Sequence, residues 1–176
     1  MGNILLKLEG GDRRSIGRVD EVVADILDHP SLFGAVFEGM FSQDPVIRMR
    51  SADAIEKVSA QHPEYLQPFK AKLMHQVAKS QQPEVRWHVA QMLPRLDLSP
   101  EERQAAVEIL LAYLEEKSKI VKAFSMQALA ELGERDPDLR RQVIPLLEEL
   151  TETGSPAMKS RGRKLLNKLM GLEDRL

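Results

Sequence analysis

Four basic residues recur at near-constant spacing along the chain: Arg48, Arg86, Lys122 and Lys159. A ladder of this kind could neutralise successive phosphates of an extended nucleic acid. A second concentration of positive charge follows, because Lys159, Arg161, Arg163, Lys164 and Lys168 give +5 over residues 156–170 with no Asp or Glu among them. These five residues form a candidate anion or nucleic-acid patch. Groups able to do bond chemistry are sparser. His29, His62, His75 and His88 form no HExxH motif and no His-Glu pair, and His29 and His62 each precede a proline, where a turn or capping role suffices. The carboxylate pairs Glu101-Glu102, Glu115-Glu116 and Glu148-Glu149 are sequence neighbours, which point about 100° apart on a helix and read as solvated faces. Gly10-Gly11 is a lone pair of glycines and not a phosphate-binding loop. The expectation is therefore no catalytic set, no metal site and no cofactor, and a protein that is not an enzyme.

Composition bounds the elements that must carry these residues. The 176 residues suffice for one ordinary domain, with 43% apolar and 30% charged residues, close to the soluble globular average. Aromatics are only 5%, whereas Leu, Ala, Glu, Lys, Arg and Gln dominate, and these lose little side-chain freedom in a helix. All-α is expected. The net charge of -2 argues against a surface built throughout for phosphate, although a local basic patch fits inside a balanced total. With no cysteine there is neither a disulfide framework nor a thiolate metal site, which fits a reducing compartment. The apolar start, Ile4-Leu5-Leu6, is too short for a secretory signal, and no stretch approaches the roughly 20 apolar residues of a spanning helix. A cytoplasmic protein without membrane contact is expected.

Overlaying the chain on itself reveals a repeat. The stretch from Asp44-Pro45 to Ile55 recurs from Gln82-Pro83 to Leu93, with Pro83 following Pro45 by 38 residues. It returns from Ser118 to Leu129, where Val121 follows Val85 by 36, and again from Ser155-Pro156, where Met158 follows Val121 by 37. Four copies at this period indicate a solenoid. The shared apolar positions fall at offsets 0, 7, 8 and 11: Ile47, Ala54, Ile55 and Val58; Val85, Met92, Leu93 and Leu96; Val121, Ala128, Leu129 and Leu132; Met158, Leu165, Leu166 and Leu169. This spacing lines one face of a helix, and Ser51, Val89, Ser125 and Gly162 at offset 4 complete the stripe.

Start signals frame the helices. Asp44-Pro45 and Ser155-Pro156 place a side-chain acceptor at N-cap and proline at the first helical position. Intervening helical segments are expected over residues 31–42, 64–79, 100–117 and 137–152, with a capping box at Ser99-Pro100-Glu101-Glu102 and a cap at Asp136. Phe33, Phe37 and Phe41, at intervals of four, are assigned to the core.

The Pro-x-Val-Arg start followed by small and leucine positions resembles the second helix of a HEAT repeat, and the resemblance covers about residues 31–170. It departs from the family pattern at Lys119 in place of proline, and at Lys122 and Lys159 in place of arginine. The resemblance implies a right-handed α-α superhelix of about four helical hairpins, with residues 12–28 as an N-terminal capping helix. Residues 1–11 are expected to be a flexible N-terminus, 12–170 a single repeat domain and 171–176 a tail. In this family the second helices line the concave side, and the basic position usually braces adjacent repeats through acidic or carbonyl groups near the turn. The resemblance thus gives Arg48, Arg86, Lys122 and Lys159 a structural reading, with Asp44 available as a partner. The helical-repeat metalloenzyme deoxyhypusine hydroxylase uses His-Glu pairs, which this sequence lacks.

With the stripe set toward the core, offsets 2, 6 and 9 point to the rear and should form exposed ridges. These positions hold Met49, Asp53 and Glu56; Trp87, Gln91 and Pro94; Ala123, Gln127 and Ala130; Ser160, Lys164 and Asn167. The only tryptophan falls among them, and exposed aromatics anchor partners. Met49, Asp53, Trp87, Gln91, Ala123 and Gln127 are accordingly the candidate partner-binding residues, for an unidentified protein or peptide. The alternative is nucleic-acid binding through the ladder and the basic C-terminal helix, as in the HEAT-like DNA glycosylases, although their base-handling surfaces are rich in aromatics.

Overall fold

The computed structural model describes residues 3–12 and 14–173, and its contacts divide the chain into two compact units, Met1–Asp97 and Leu98–Leu176. Both are helical, with no strand among the described residues, and no helix there is long and apolar enough to cross a membrane.

In the first unit, a 3₁₀ turn at Ile4–Leu8 precedes α1 (Val19–Asp28), α2 (Phe33–Glu38), α3 (Pro45–Gln61), α4 (Lys70–His75) and α5 (Pro83–Met92). The repeat's start signals work as expected in α3, where the Asp44 carboxylate accepts from the Val46 amide at 2.7 Å and Pro45 occupies the first position. In α5 the Gln82 side chain does not cap, and the helix stops at Met92 because Pro94 lacks an amide proton; a 3₁₀ turn, Leu93–Arg95, continues the chain. The intervening segments are broken into short pieces by Pro30, Pro63 and Pro68, each within the opening of a 3₁₀ turn. Phe33 and Phe37 are buried, with ring centroids 5.5 and 4.6 Å from Phe69, whereas Phe41 lies at the edge with 37% exposure.

From residue 3 onward the expected flexible start is instead packed structure; residues 1 and 2 lie outside the described residues. Ile4 and Leu8 are buried, and the 3₁₀ turn lies against α1 and α3. Arg50, itself buried on α3, holds the following backbone: it donates to the carbonyls of Leu8, Glu9, Gly10, Asp12 and Ser15 at 2.7–3.4 Å. The capping helix begins at Val19 and not at residue 12.

The second unit holds α6 (Pro100–Leu114), α7 (Lys119–Arg135), α8 (Pro137–Thr153) and α9 (Pro156–Glu173). Consecutive helices pack on each other, and α7 also packs on α9, the next copy of the repeat. The capping box at Ser99 and Glu102 forms, and Asp136 caps α8 through the amides of Asp138 and Leu139. Because α9 runs to Glu173, the tail expected from residue 171 begins inside a helix; residues 174–176 lie outside the described residues. The repeat's apolar stripe is buried in all four copies except at Leu166, which is half-buried. Offset 4 is small where helices approach closely: a Cβ at Gly162 would lie 1.9 Å from Thr151 Oγ1.

Candidate functional site

The rear positions of the repeat do not form one exposed ridge. Met49, Asp53, Pro94, Ala123 and Ala130 are buried, Glu56, Trp87, Gln91 and Gln127 are half-buried, and only Ser160, Lys164 and Asn167 are exposed. The cause is packing. Around α3 stand the N-terminal turn, α1, α2 with its following turn, and α5, so residues 49–55 are buried without interruption and no rear face remains. On α7 the flanks are taken by α6, α8 and α9. A helix inside a stack is covered on more sides than a one-stripe pattern implies.

The basic ladder also finds partners in its first two members. Arg48 donates through Nη1 to the carbonyls of Ser42 and Gln43 at 2.8 and 3.1 Å, and through Nε to Gln82 Oε1 at 3.0 Å. Gln82 in turn donates to the Pro45 carbonyl at 2.9 Å, which links two successive copies. Arg86 donates to the Ser80 carbonyl at 2.5 Å. For Arg48 the partners are two carbonyls and an amide, while Asp44 is used as the helix cap.

In the second unit, α7 and α9 leave an open groove of about 490 Å³ lined by Phe124, Gln127, Ala157, Ser160, Arg161, Lys164 and Leu165. It unites one candidate partner-binding residue, Gln127, with two members of the basic patch. Arg161 lies over the Phe124 ring, 4.7 Å from its centroid, and reaches the Ala123 carbonyl at 3.4 Å. A guanidinium held on an aromatic face keeps its charge at a fixed place. Lys164 is exposed beside it, Arg163 is exposed on α9, and Lys168 pairs with Glu134 at 2.6 Å. The groove is therefore apolar at its floor, amide-bearing on the α7 side and cationic on the α9 side.

The first unit contains a second constellation, which linear motifs do not reveal. Asp53 and Glu56, three residues apart on α3, meet His88 of α5, with one potential ligand atom from each lying within 4.8 Å of the others. Asp53 also pairs with Lys57 at 3.4 Å, and Lys57 with Asp20 at 3.0 Å. Glu56 pairs with Arg95, whose Nη1 also donates to the Glu56 carbonyl at 2.7 Å and meets Ser59 Oγ at 3.0 Å. Burial drives the His88 imidazole down to about 3, and the charges of Lys57 and Arg95 add to this, so the ring is neutral. Burial likewise pushes the Asp53 carboxyl up, against the opposing pull of Lys57. Trp87 projects beside this cluster with its ring centroid 5.7 Å from that of His88, and its carbonyl accepts from Gln91 at 3.2 Å. The sequence signal was available only in the repeat register, which places α3 beside α5; a search for neighbouring His and Glu could not find it.

No curated protein and no solved structure matches this chain. A family model for the HEAT repeat domain matches residues 8–169. That span runs from the end of the N-terminal turn through all four copies of the repeat and the helices between them, and the chain belongs to the HEAT repeat family.

Proposed function

We propose that this HEAT repeat protein is a non-enzymatic scaffold that holds an acidic, extended segment of a partner protein in the groove between α7 and α9. The observation that carries this reading is the seating of Arg161 on Phe124 beside Lys164 and Gln127. A carboxylate of the partner meets Arg161 and Lys164, its aliphatic carbons meet Phe124 and Leu165, and Gln127, whose Nε2 donates to Glu131 at 2.8 Å, offers its amide oxygen to a peptide N–H. Cations on α9 set orientation and association rate, while burial against the aromatic floor supplies the residence time. Nucleic-acid binding is the weaker reading. Arg48 and Arg86 both bond turn carbonyls, so the first half of the ladder is not a row of uncommitted charges, and in the C-terminal patch Lys168 pairs with Glu134.

Selection from a display library of short peptides on the full chain tests this directly. Acidic peptides carrying an apolar residue should be enriched, and Lys164→Glu should abolish the enrichment while leaving the helical circular dichroism unchanged. Equal enrichment on the wild-type and Lys164→Glu proteins would remove the groove from consideration. Salt-sensitive binding of duplex DNA or RNA, retained by that variant and exceeding peptide binding, would favour the other reading.

A further inference from the structure

We infer that Asp53, Glu56 and His88 form a binding site for a divalent first-row transition-metal ion such as Zn²⁺. Three side chains of the types that bind such ions converge from two helices, each offering a ligand atom within 4.8 Å of the other two. Four-coordinate binding at about 2.1 Å needs ligand atoms about 3.4 Å apart, so closure requires side-chain rotation over roughly an ångström. The i, i+3 spacing of Asp53 and Glu56 puts both carboxylates on the same side of α3, and α5 supplies the imidazole across from them.

A second, independent feature points to a ligand. His88 is only 9% exposed, and its Nδ1 is buried without a hydrogen-bond partner. A buried polar atom left without a partner has lost its water with nothing in return, and buried imidazoles ordinarily bond through a ring nitrogen. The nearby cations do not close the site. When the carboxylates turn to a metal, Lys57 keeps Asp20 at 3.0 Å, and Arg95 keeps the Glu56 carbonyl and Ser59 Oγ at 2.7 and 3.0 Å. The two bases thus have alternative partners, and Asp20 adds a third negative charge near the cluster. Imidazole with two carboxylates suits Zn²⁺, Co²⁺, Ni²⁺ or Mn²⁺ better than Mg²⁺, which favours an all-oxygen shell. The site lies in the first unit, apart from the α7–α9 groove, so the two readings stand or fall separately.

The test titrates the purified full chain, stripped with chelator, with ZnCl₂ in a calorimeter, and with CoCl₂ while visible absorption is followed. One equivalent of Zn²⁺ should bind, raise the melting temperature, and weaken by at least about tenfold in Asp53→Asn and His88→Gln, the scale seen when even an outer-sphere partner is lost. Bound Co²⁺ should give ligand-field bands that Zn²⁺ displaces. The exposed His62–Glu64 pair, 2.9 Å apart, is the control: His62→Ala should leave the binding unchanged. Absence of Co²⁺ bands and of Zn²⁺ heat in the wild-type protein overturns the site whatever the variants do. So does binding that His62→Ala abolishes, or binding that survives both His88→Gln and Asp53→Asn.

Discussion

Nη1 of Arg50 donates to the backbone carbonyl of Gly10 at 2.7 Å, and the same guanidinium gathers four further carbonyls from residues 8–15. One buried side chain of α3 thereby fixes a segment with little regular structure of its own. Arg50→Met should cost roughly 2–4 kcal/mol, since it removes charge-assisted bonds and forces the arm's carbonyls to find water. Hydrogen exchange should then show loss of amide protection in the arm, with the core of α3 still protected. Unchanged exchange in residues 4–12 would mean that apolar contacts alone hold the segment.

Gly17 tests the same clamp from the other side. It has φ +56°, and a Cβ there would lie 2.7 Å from Arg50 Cζ. Gly17→Ala should destabilise by about 1–3 kcal/mol, combining left-handed backbone strain with displacement of the guanidinium. In the Arg50→Met background the same substitution should cost less, because the contact has gone. A double-mutant cycle in denaturant measures this difference; strict additivity would refute the contact.

The approach of α9 to α8 predicts a second steric coupling. Thr151 Oγ1 donates to the Leu147 carbonyl at 2.5 Å and occupies the place a side chain at residue 162 would need. Gly162→Ala should cost about 1–3 kcal/mol by overpacking, although alanine raises intrinsic helix propensity. Thr151→Ala in the same chain should recover part of the loss, read as the urea midpoint.

Asp136 supplies a pH dependence. Backbone amides, Leu139 first, and the Arg103 side chain at 2.7 Å hold its carboxyl below the usual value near 3.8. A carboxyl depressed in the folded state contributes stability that is present above the unfolded pKa and lost as pH falls through the lower, folded value. Asp136→Asn can still cap α8 but cannot pair ionically with Arg103. The wild type should therefore exceed the variant in stability at pH 6–7, with the gap closing progressively below about pH 4. A gap independent of pH would show that the charge itself contributes nothing.

Gln82 joins two copies of the repeat, accepting from Arg48 and donating to the Pro45 carbonyl. Gln82→Ala should lower stability by about 1–2 kcal/mol because it removes the acceptor of Arg48 Nε and the side-chain donor to the Pro45 carbonyl; Gln82→Glu should retain the Arg48 contact and lose the bond to Pro45. Chemical denaturation of the three proteins should rank them wild type, Glu, Ala. Equal midpoints would assign the linkage between these copies to apolar packing alone.

Much of this architecture was legible in the sequence for a local reason. Proline at a helix start, Asp44 or Ser99 at N-cap, and apolar residues at offsets 0, 7, 8 and 11 act within a few turns of chain, so they identify helices and the stripe that each must bury. The period then identifies the neighbours. Periodicity did not disclose how many sides of each helix would be covered, and Met49, Asp53 and Ala123 are buried for that reason. Nor did it disclose that Arg50 would capture the carbonyls of a distant arm, or that His88 would face Asp53 and Glu56. Those juxtapositions depend on helix separation and rotation, which are settled by side-chain volumes meeting across helices. Linear spacing records only the face that each helix turns inward, whereas tertiary packing decides what that face and its opposite meet.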